Sequence, residues 1–180
     1  MIPRLYLPEV IDGALCRLSA AQSRYLLRVL RLSVGNDARV FDGAGQEYDG
    51  RIEMADKRGA FVRIGRRLPP SLADADLRVE IAQAVCAPPK MDWAVEKMTE
   101  LGAAAIVPLI TAHAESPRHA ALERWQRLAV ASCAQCGRAK MPHFSTPTLL
   151  TDFLSAQTDE ESQKILLTPR ADCHLSAICK

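Results

Sequence analysis

The sequence is short of several things, and each shortage removes a class of protein. No run approaches 18 consecutive apolar residues, so no membrane span is expected. The opening Met1-Ile2-Pro3-Arg4-Leu5-Tyr6 has neither the apolar stretch nor the cleavage pattern of a secretory signal, and the expectation is a cytoplasmic protein. There is no internal repeat and no low-complexity tract. Aromatics make up only 5% of the chain, and the net charge is only +2. Six scattered cysteines include one close pair, Cys133-Ala134-Gln135-Cys136, with no second pair at zinc-site spacing. That pair falls late in a helical pattern instead of opening a helix after a strand, as a redox motif would. Packed thiols and no metal are therefore expected. A phosphate loop, GxGxxG, HExxH and GxSxG are all missing, which leaves no local signature of the commonest nucleotide-binding, metallopeptidase or hydrolase sites.

What is present is ordinary globular composition, 48% hydrophobic and 24% charged over 180 residues. The charge is unevenly placed. Residues 1–70 hold 12 basic and 8 acidic side chains, and residues 71–180 hold 11 and 13. Seventeen of the 23 basic residues are Arg, whose planar fork suits phosphate. The basic first third points to a nucleic-acid partner or, equally, to a solvated face.

The rhythm of the chain changes near residue 70. Before it, short alternating segments predict strands at Arg4–Leu7, Ala38–Phe41, Glu47–Met54 and Ala60–Ile64, with turns at Asp42-Gly43-Ala44-Gly45 and Asp56-Lys57-Arg58-Gly59. Such spacing suggests a small barrel. Ser19 is a candidate N-cap for a helix over residues 20–30, with Tyr25, Leu26, Val29 and Leu30 on its apolar face. Arg24, Arg28 and Arg31, spaced by four and three, would form one stripe on that helix. Two prolines and small polar residues follow, and residues 71–76 read as a linker.

After it, strands are predicted at Leu77–Val85, Ala103–Leu109 and Lys164–Leu167, and helices at about Lys90–Leu101, Ala120–Cys136 and Leu149–Leu154. Gly102 and Gly137 stop the two longer helices. This alternation is α/β. Lys97 and Glu100 share a face of a helix that begins at the carboxyl end of a strand, the edge where α/β ligands bind. Read alone, they are a surface ion pair. Arg138 follows a helix end, where the helix dipole is reason enough for a cation.

Three blocks together resemble a known family, the small-subunit ribosomal RNA methyltransferases E. The first is Tyr25-Leu26-Leu27-Arg28-Val29-Leu30-Arg31-Leu32 with Gly35 and Phe41-Asp42-Gly43. The second is Lys90-Met91-Asp92-Trp93 running into Glu96-Lys97-Met98-Thr99-Glu100-Leu101-Gly102 and Val107-Pro108-Leu109. The third is Trp125-Gln126-Arg127 with Cys133 to Arg138 and Pro142. The resemblance spans residues 2 to about 170.

It implies an α+β, two-domain protein: a PUA-like RNA-binding β-barrel over 1–70, a linker over 71–76, and over 77–180 a SPOUT methyltransferase domain of trefoil-knot type. It implies S-adenosylmethionine as cofactor, N3 of a uridine in 16S ribosomal RNA or the small ribosomal subunit as target, and a homodimer. Arg4, Arg24, Arg28 and Arg31 become candidate RNA contacts. Lys97, Glu100 and Arg138 become candidate catalytic residues, and Leu167, Thr168 and Pro169 the first wall of the cofactor site. The glycine-rich and Leu-Arg-Thr-Glu-Thr-Ala-like segments that complete the family's knot are not in these 180 residues, so the expectation is a domain truncated at its C-terminus and lacking the knot segment. A non-catalytic RNA-binding remnant is the alternative.

Overall fold

The computed structural model describes residues 2–10, 13–57, 59–71, 73, 77–114, 121–158, 162–168, 170–174 and 177. The N-terminal half is built on β1 (Arg4–Tyr6), β2 (Leu15–Arg17), β3 (Asp37–Phe41), β4 (Glu47–Asp56) and β5 (Gly59–Arg67). Strand order is β1-β3-β4-β5-β2, parallel for β1 on β3 and antiparallel elsewhere. Period-two patterning explains the inner face: Ala60, Val62 and Ile64 of β5 are buried while Arg63 points out. With Leu5, Val40 and Ile52 they pack against Leu18 and Leu26 from the helical segment above.

The β3–β4 turn is held by Asp42, whose Oδ1 accepts from the N–H groups of Ala44 (2.7 Å) and Gln46 (3.0 Å). The β4–β5 hairpin closes with Asp56 opposite Gly59, as the turn residues predict. The expected barrel is not what forms. The strand path is an open sheet ending at β1 and β2, because β2 pairs with β5 alone among the described residues.

The expected helix over 20–30 is also different. Ser19 caps it as predicted, in a reciprocal box with Gln22: Gln22 N–H donates to Ser19 Oγ, and Ser19 N–H to Gln22 Oε1. The α-helix α1 then runs only from Ala20 to Arg24 and widens into a π-helix over Tyr25–Val29. Leu30 N–H reaches back five residues to the Tyr25 carbonyl. The wider turn rotates the later side chains, so Leu26 is buried but Tyr25, Val29 and Leu30 are exposed.

The C-terminal half contains β6 (Glu80–Ala84), α2 (Pro88–Glu100), β7 (Ala105–Ile110), α3 (Ala121–Cys136), β8 (His143–Phe144), β9 (Thr148–Leu149) and α4 (Leu150–Ser155). All four strands are parallel and β7 is central. Its residues 105–109 are buried, as a continuous apolar run predicts. On one edge β7 pairs β6. On the other it pairs β8 at Ala105 and Ile106 and β9 at Leu109 and Ile110. The gap falls opposite Val107 and Pro108, and proline has no N–H to give a ladder. The α2 face Met91, Val95 and Met98 and the α3 face Trp125 and Ala129 close over this sheet. Gly102 and Gly137 end the two helices with positive φ, as expected.

The strand expected at Lys164–Leu167 is absent. Those residues pair with no described strand, and Leu166 and Leu167 are 84% and 76% exposed. The expected strand at Leu77 starts instead at Glu80. Of the linker, Ser71 is pinned, its Oγ donating to the Gly137 carbonyl (2.7 Å); residues 72 and 74–76 lie outside the described residues.

The two halves are joined tightly. Gly45 N–H donates to the Ala139 carbonyl (3.1 Å) and Met141 N–H to that of Gly43 (2.8 Å). Gly43 and Gly45 have φ of 82° and 108°, which other residues rarely adopt, and a Cβ on Gly43 would lie 2.9 Å from Tyr6 Cε2, so this seam favours glycine. Beneath it Phe41 packs with Cys133 and Ala139. Arg4 completes the joint. Its Nε donates to Glu47 Oε1 (2.8 Å), Nη1 to the carbonyls of Cys133 and Ala134, and Nη2 to that of Arg138 (3.0 Å). Its Cζ lies 4.9 Å from the Phe41 ring centroid.

Removing Glu47 leaves that cation uncompensated in a part-buried site. Glu47→Ala is expected to lower unfolding free energy by about 3–5 kcal/mol in urea titration, and Arg4→Ala to cost as much without adding to it in the double variant. A loss below about 1 kcal/mol for either would show that the joint does not depend on this pair.

Candidate functional site

The predicted arginine stripe is only partly realised. Arg24 and Arg28 are exposed on the α-to-π segment, but Arg31 lies beyond the helix in the left-handed region (φ 55°). That conformation is unusual for a non-glycine residue and breaks the regular spacing. None of the three has an ion-pair partner among the described residues. Other arginines of the same domain are already engaged: Arg51 with Asp37 (3.4 Å), Arg66 with Asp49 (3.2 Å), and Arg63 with Glu53 (2.6 Å). These line, or sit beside, a shallow groove of about 380 Å³ on the outer face of the sheet. The Arg63 hydrogen bond holds the Glu53 carboxyl below its ordinary value, a sign of a committed pair. A phosphate in that groove would have to compete with carboxylates; at Arg24, Arg28 and Arg31 it would not.

Arg4 does not belong with them. Its side chain is 10% exposed and spends its donors on Glu47 and the last carbonyls of α3. The Cys133 carbonyl also accepts from Gly137 N–H (3.2 Å), the Arg138 carbonyl lies just past the helix, and a cation at a helix C-terminus also favours the helix dipole. The structure gives Arg4 a joining role in place of the expected RNA contact.

Arg138 is likewise corrected. It is 3% exposed, and its Nη1 donates to the carbonyls of Thr99 (2.6 Å) and Ala103 (3.3 Å), tying the end of α2 to the segment after α3. A guanidinium so enclosed offers no approach to a base.

Lys97 and Glu100 do form a pair, Lys97 Nζ lying 2.8 Å from Glu100 Oε2 and 3.0 Å from Glu96 Oε1. Their place in the sheet differs from expectation. Although α2 begins at the carboxyl end of β6, it runs back along the strand. At its far end Ala104 N–H donates to the Val79 carbonyl, just before β6 starts. Lys97 and Glu100 therefore stand at the amino end of the parallel sheet, opposite the edge where α/β ligands bind. The hydrogen bonds that Lys97 donates to Glu100, then to Glu96, raise its pKa above its ordinary 10.5. This favours its charged form.

Of the expected cofactor wall, Leu167 and Thr168 are exposed and belong to no strand, and Pro169 lies outside the described residues. At the carboxyl edge, Val85 N–H donates to the Leu109 carbonyl (3.0 Å), and the segments after β6 and β7 leave the sheet side by side. The described residues do not enclose a molecule of the size of S-adenosylmethionine.

Comparison with known proteins decides the family. Residues 73–180 match the RNA methyltransferase domain, and residues 18–65 the RNA methyltransferase PUA domain. The chain belongs to the RNA methyltransferase family that includes ribosomal RNA small subunit methyltransferase E. Proteins of that name from Buchnera aphidicola and Synechocystis are 23% and 30% identical, over 94% and 91% of this chain. The chain spans 69% and 53% of their lengths. The Neisseria gonorrhoeae enzyme of that name, solved bound to S-adenosyl methionine, superposes with a TM-score of 0.89 at 26% identity, covering 98% of this chain and 73% of that one. A Legionella pneumophila methyltransferase, solved with the same cofactor, gives 0.81 at 29% identity over 89% of this chain and 68% of that one. The two-domain α+β architecture of this family member follows.

One feature had no reading in the sequence. A groove of about 720 Å³ opens where the two halves meet, lined by Tyr6, Gln126, Arg127, Met141, His143 and Phe144 among others. The signal was present in α3: Glu123, Gln126, Arg127 and Val130 share one helical face, beside the one that buries Trp125, Ala129 and Cys133.

Because the paired Lys97 has a raised pKa, its stabilising charge is complete at lower pH and is lost only as pH climbs above 10.5. NMR titration of labelled lysine is expected to show no Lys97 transition between about pH 6 and 9. A transition there would restore it as a candidate base. Arg138→Met is expected to cut stability by about 2 kcal/mol in thermal or urea unfolding, and an unchanged midpoint would contradict its structural role.

Proposed function

We propose that this protein methylates N3 of a uridine in small-subunit (16S) ribosomal RNA, with S-adenosylmethionine as methyl donor. The observation that carries the reading is the coupling, in one chain, of a PUA-type domain to an RNA methyltransferase domain that superposes on enzymes solved with that cofactor. Residues 1–70 act as the RNA-holding domain, 71–76 as the connection and 77–180 as the methyltransferase domain.

The bound cofactor supplies a methyl group already activated by its sulfonium. What remains for the chain is to hold RNA, orient one base and exclude water. Arg24, Arg28 and Arg31 are exposed and free of carboxylate partners, which suits contacts that position a phosphate backbone without reading sequence. The carboxyl edge after β6 and β7 is the cofactor side, completed by residues other than Leu167 and Thr168 as they stand here. No catalytic step is assigned to Lys97, Glu100 or Arg138. The protein works as a homodimer; the exposed Leu149, Leu150 and Leu154 supply apolar surface that a second copy would cover.

The exposure of Leu167 and Thr168 favours a second reading, an RNA-binding protein without catalysis. Calorimetric titration with S-adenosylmethionine, followed by transfer of labelled methyl to small ribosomal subunits, separates the two. Cofactor binding and methyl transfer are expected, with the transfer abolished when the target uracil already carries an N3 methyl; RNA binding with no cofactor uptake supports the second reading. Arg28→Ala combined with Arg31→Ala is expected to weaken RNA binding and to reduce its salt slope by about 2. An unchanged slope would exclude these arginines as phosphate contacts.

A further inference from the structure

We infer that the groove between the two halves holds an unpaired RNA nucleotide other than the one that reacts. This rests on the reading of the protein as an RNA methyltransferase and extends it to a second contact site.

Four polar side chains converge on the groove with their tips uncommitted. Tyr6 carries its ring there from the end of β1, held in a tilted contact with Phe41 (centroids 5.6 Å apart). Its hydroxyl has no partner among the described residues. Gln126 and Arg127 enter from one face of α3 and are exposed. Arg127 Nε donates to the Glu123 carbonyl (3.3 Å), which orients the guanidinium and leaves both terminal nitrogens free. His143 enters from β8, whose N–H is fixed to the Ala104 carbonyl (2.9 Å). Met141 and Phe144 supply apolar walls.

This is the set that single-stranded RNA uses: a ring to stack on, a cationic fork for a phosphate, and amide and imidazole groups for base edges. The volume, about 720 Å³, lies in the range of roughly 300–1,000 Å³ found for small-ligand clefts. The Glu123 side chain also lines the groove, so it is not a uniformly positive channel for a duplex. One base stacked on Tyr6 with its phosphate at Arg127 satisfies the apolar and polar groups together.

The walls are pre-set. Tyr6 and Met141 both lie against Gly43, where an added Cβ would meet Tyr6 at 2.9 Å and Met141 Sδ at 3.4 Å. Both sides of the groove are thus locked to the seam between the domains, so little ordering is left for binding to impose. His143 pairs with Ala105, the first residue of β7, which puts this end of the groove at the amino edge of the sheet. The cofactor side is the carboxyl edge. The base held here is therefore not the base that is methylated.

The test is fluorescence anisotropy of the protein with a labelled ten-nucleotide single strand of uridines and with a labelled duplex of the same length, across a salt series. Arg127→Ala is expected to weaken single-strand binding about tenfold and to lower the salt slope by about 0.7, the value of one phosphate contact on a single strand. Tyr6→Leu is expected to weaken it about tenfold with the slope unchanged, because stacking releases no counterions. Arg124→Ala, on the same helix but engaged with Asp92, is expected to bind as the unaltered protein does. If the unaltered protein binds RNA and Arg127→Ala and Tyr6→Leu bind equally well, the groove proposal is overturned while the functional reading stands. If no form binds RNA, the functional reading fails and takes the groove with it. Should Tyr6→Leu not fold, Arg127→Ala on its exposed helix face decides the matter alone.

Discussion

The arrangement of the whole molecule hangs on one guanidinium. Arg4 bridges Glu47 on β4 to the carbonyls at the end of α3, with Phe41 beneath it. A charge this enclosed is costly unless its donors are matched, and here carboxylate, carbonyls and ring face match it together. Because the acceptors come from both halves of the chain, satisfying Arg4 also fixes how the two sheets meet. The glycine seam beside it works in the same direction by backbone geometry. The RNA-holding domain is therefore seated on the methyltransferase domain, and does not swing on the linker.

That constraint sorts the arginines of the N-terminal domain. One is consumed by the joint, and Arg51, Arg63 and Arg66 are held by carboxylates of their own sheet. Among the described residues, arginines without a carboxylate partner include Arg24, Arg28 and Arg31 on and just after the α-to-π segment, Arg39 and Arg67 on the sheet and, across the joint, Arg127. Exposed ion pairs contribute little to stability, but they do reduce the charge a phosphate would meet. Counting basic residues in this domain would overstate its affinity for RNA; counting unpaired ones points to particular surfaces.

Much of this was legible in the sequence, and the exceptions share causes. The 3.6 period of α2 and α3, the buried run of β7, the hairpin turns and the Ser19 cap are local signals, and each element formed where its pattern lay. β2, β8 and β9 have two or three residues each, too few for any period to register. The π-helix is a shift of one residue in hydrogen bonding, which apolar spacing does not encode, yet it exposes Tyr25 and Val29. Lys164–Leu167 has strand composition, but composition alone does not make a strand, and these exposed residues pair with none of the described strands. Arg4 and Arg138 turn inward although their residue type favours the surface, because their acceptors lie as far as 134 residues away in the chain.

Placing the candidate residues on the two ends of one sheet also changes what an RNA substrate has to do. The six residues of β7 separate the amino edge from the carboxyl edge by about 20 Å. A nucleotide in the groove beside His143 and one at the cofactor edge are at least that far apart. At about 3.4 Å per stacked nucleotide, about six nucleotides bridge the distance, and fewer do so if the strand is stretched. A short oligonucleotide carrying only the target uridine reaches one end and not both. Because the span runs along the strands of one sheet, the protein cannot shorten it by moving one half against the other, and the RNA must present both nucleotides unpaired. Selection of substrate then rests on RNA shape as well as on the reacting base.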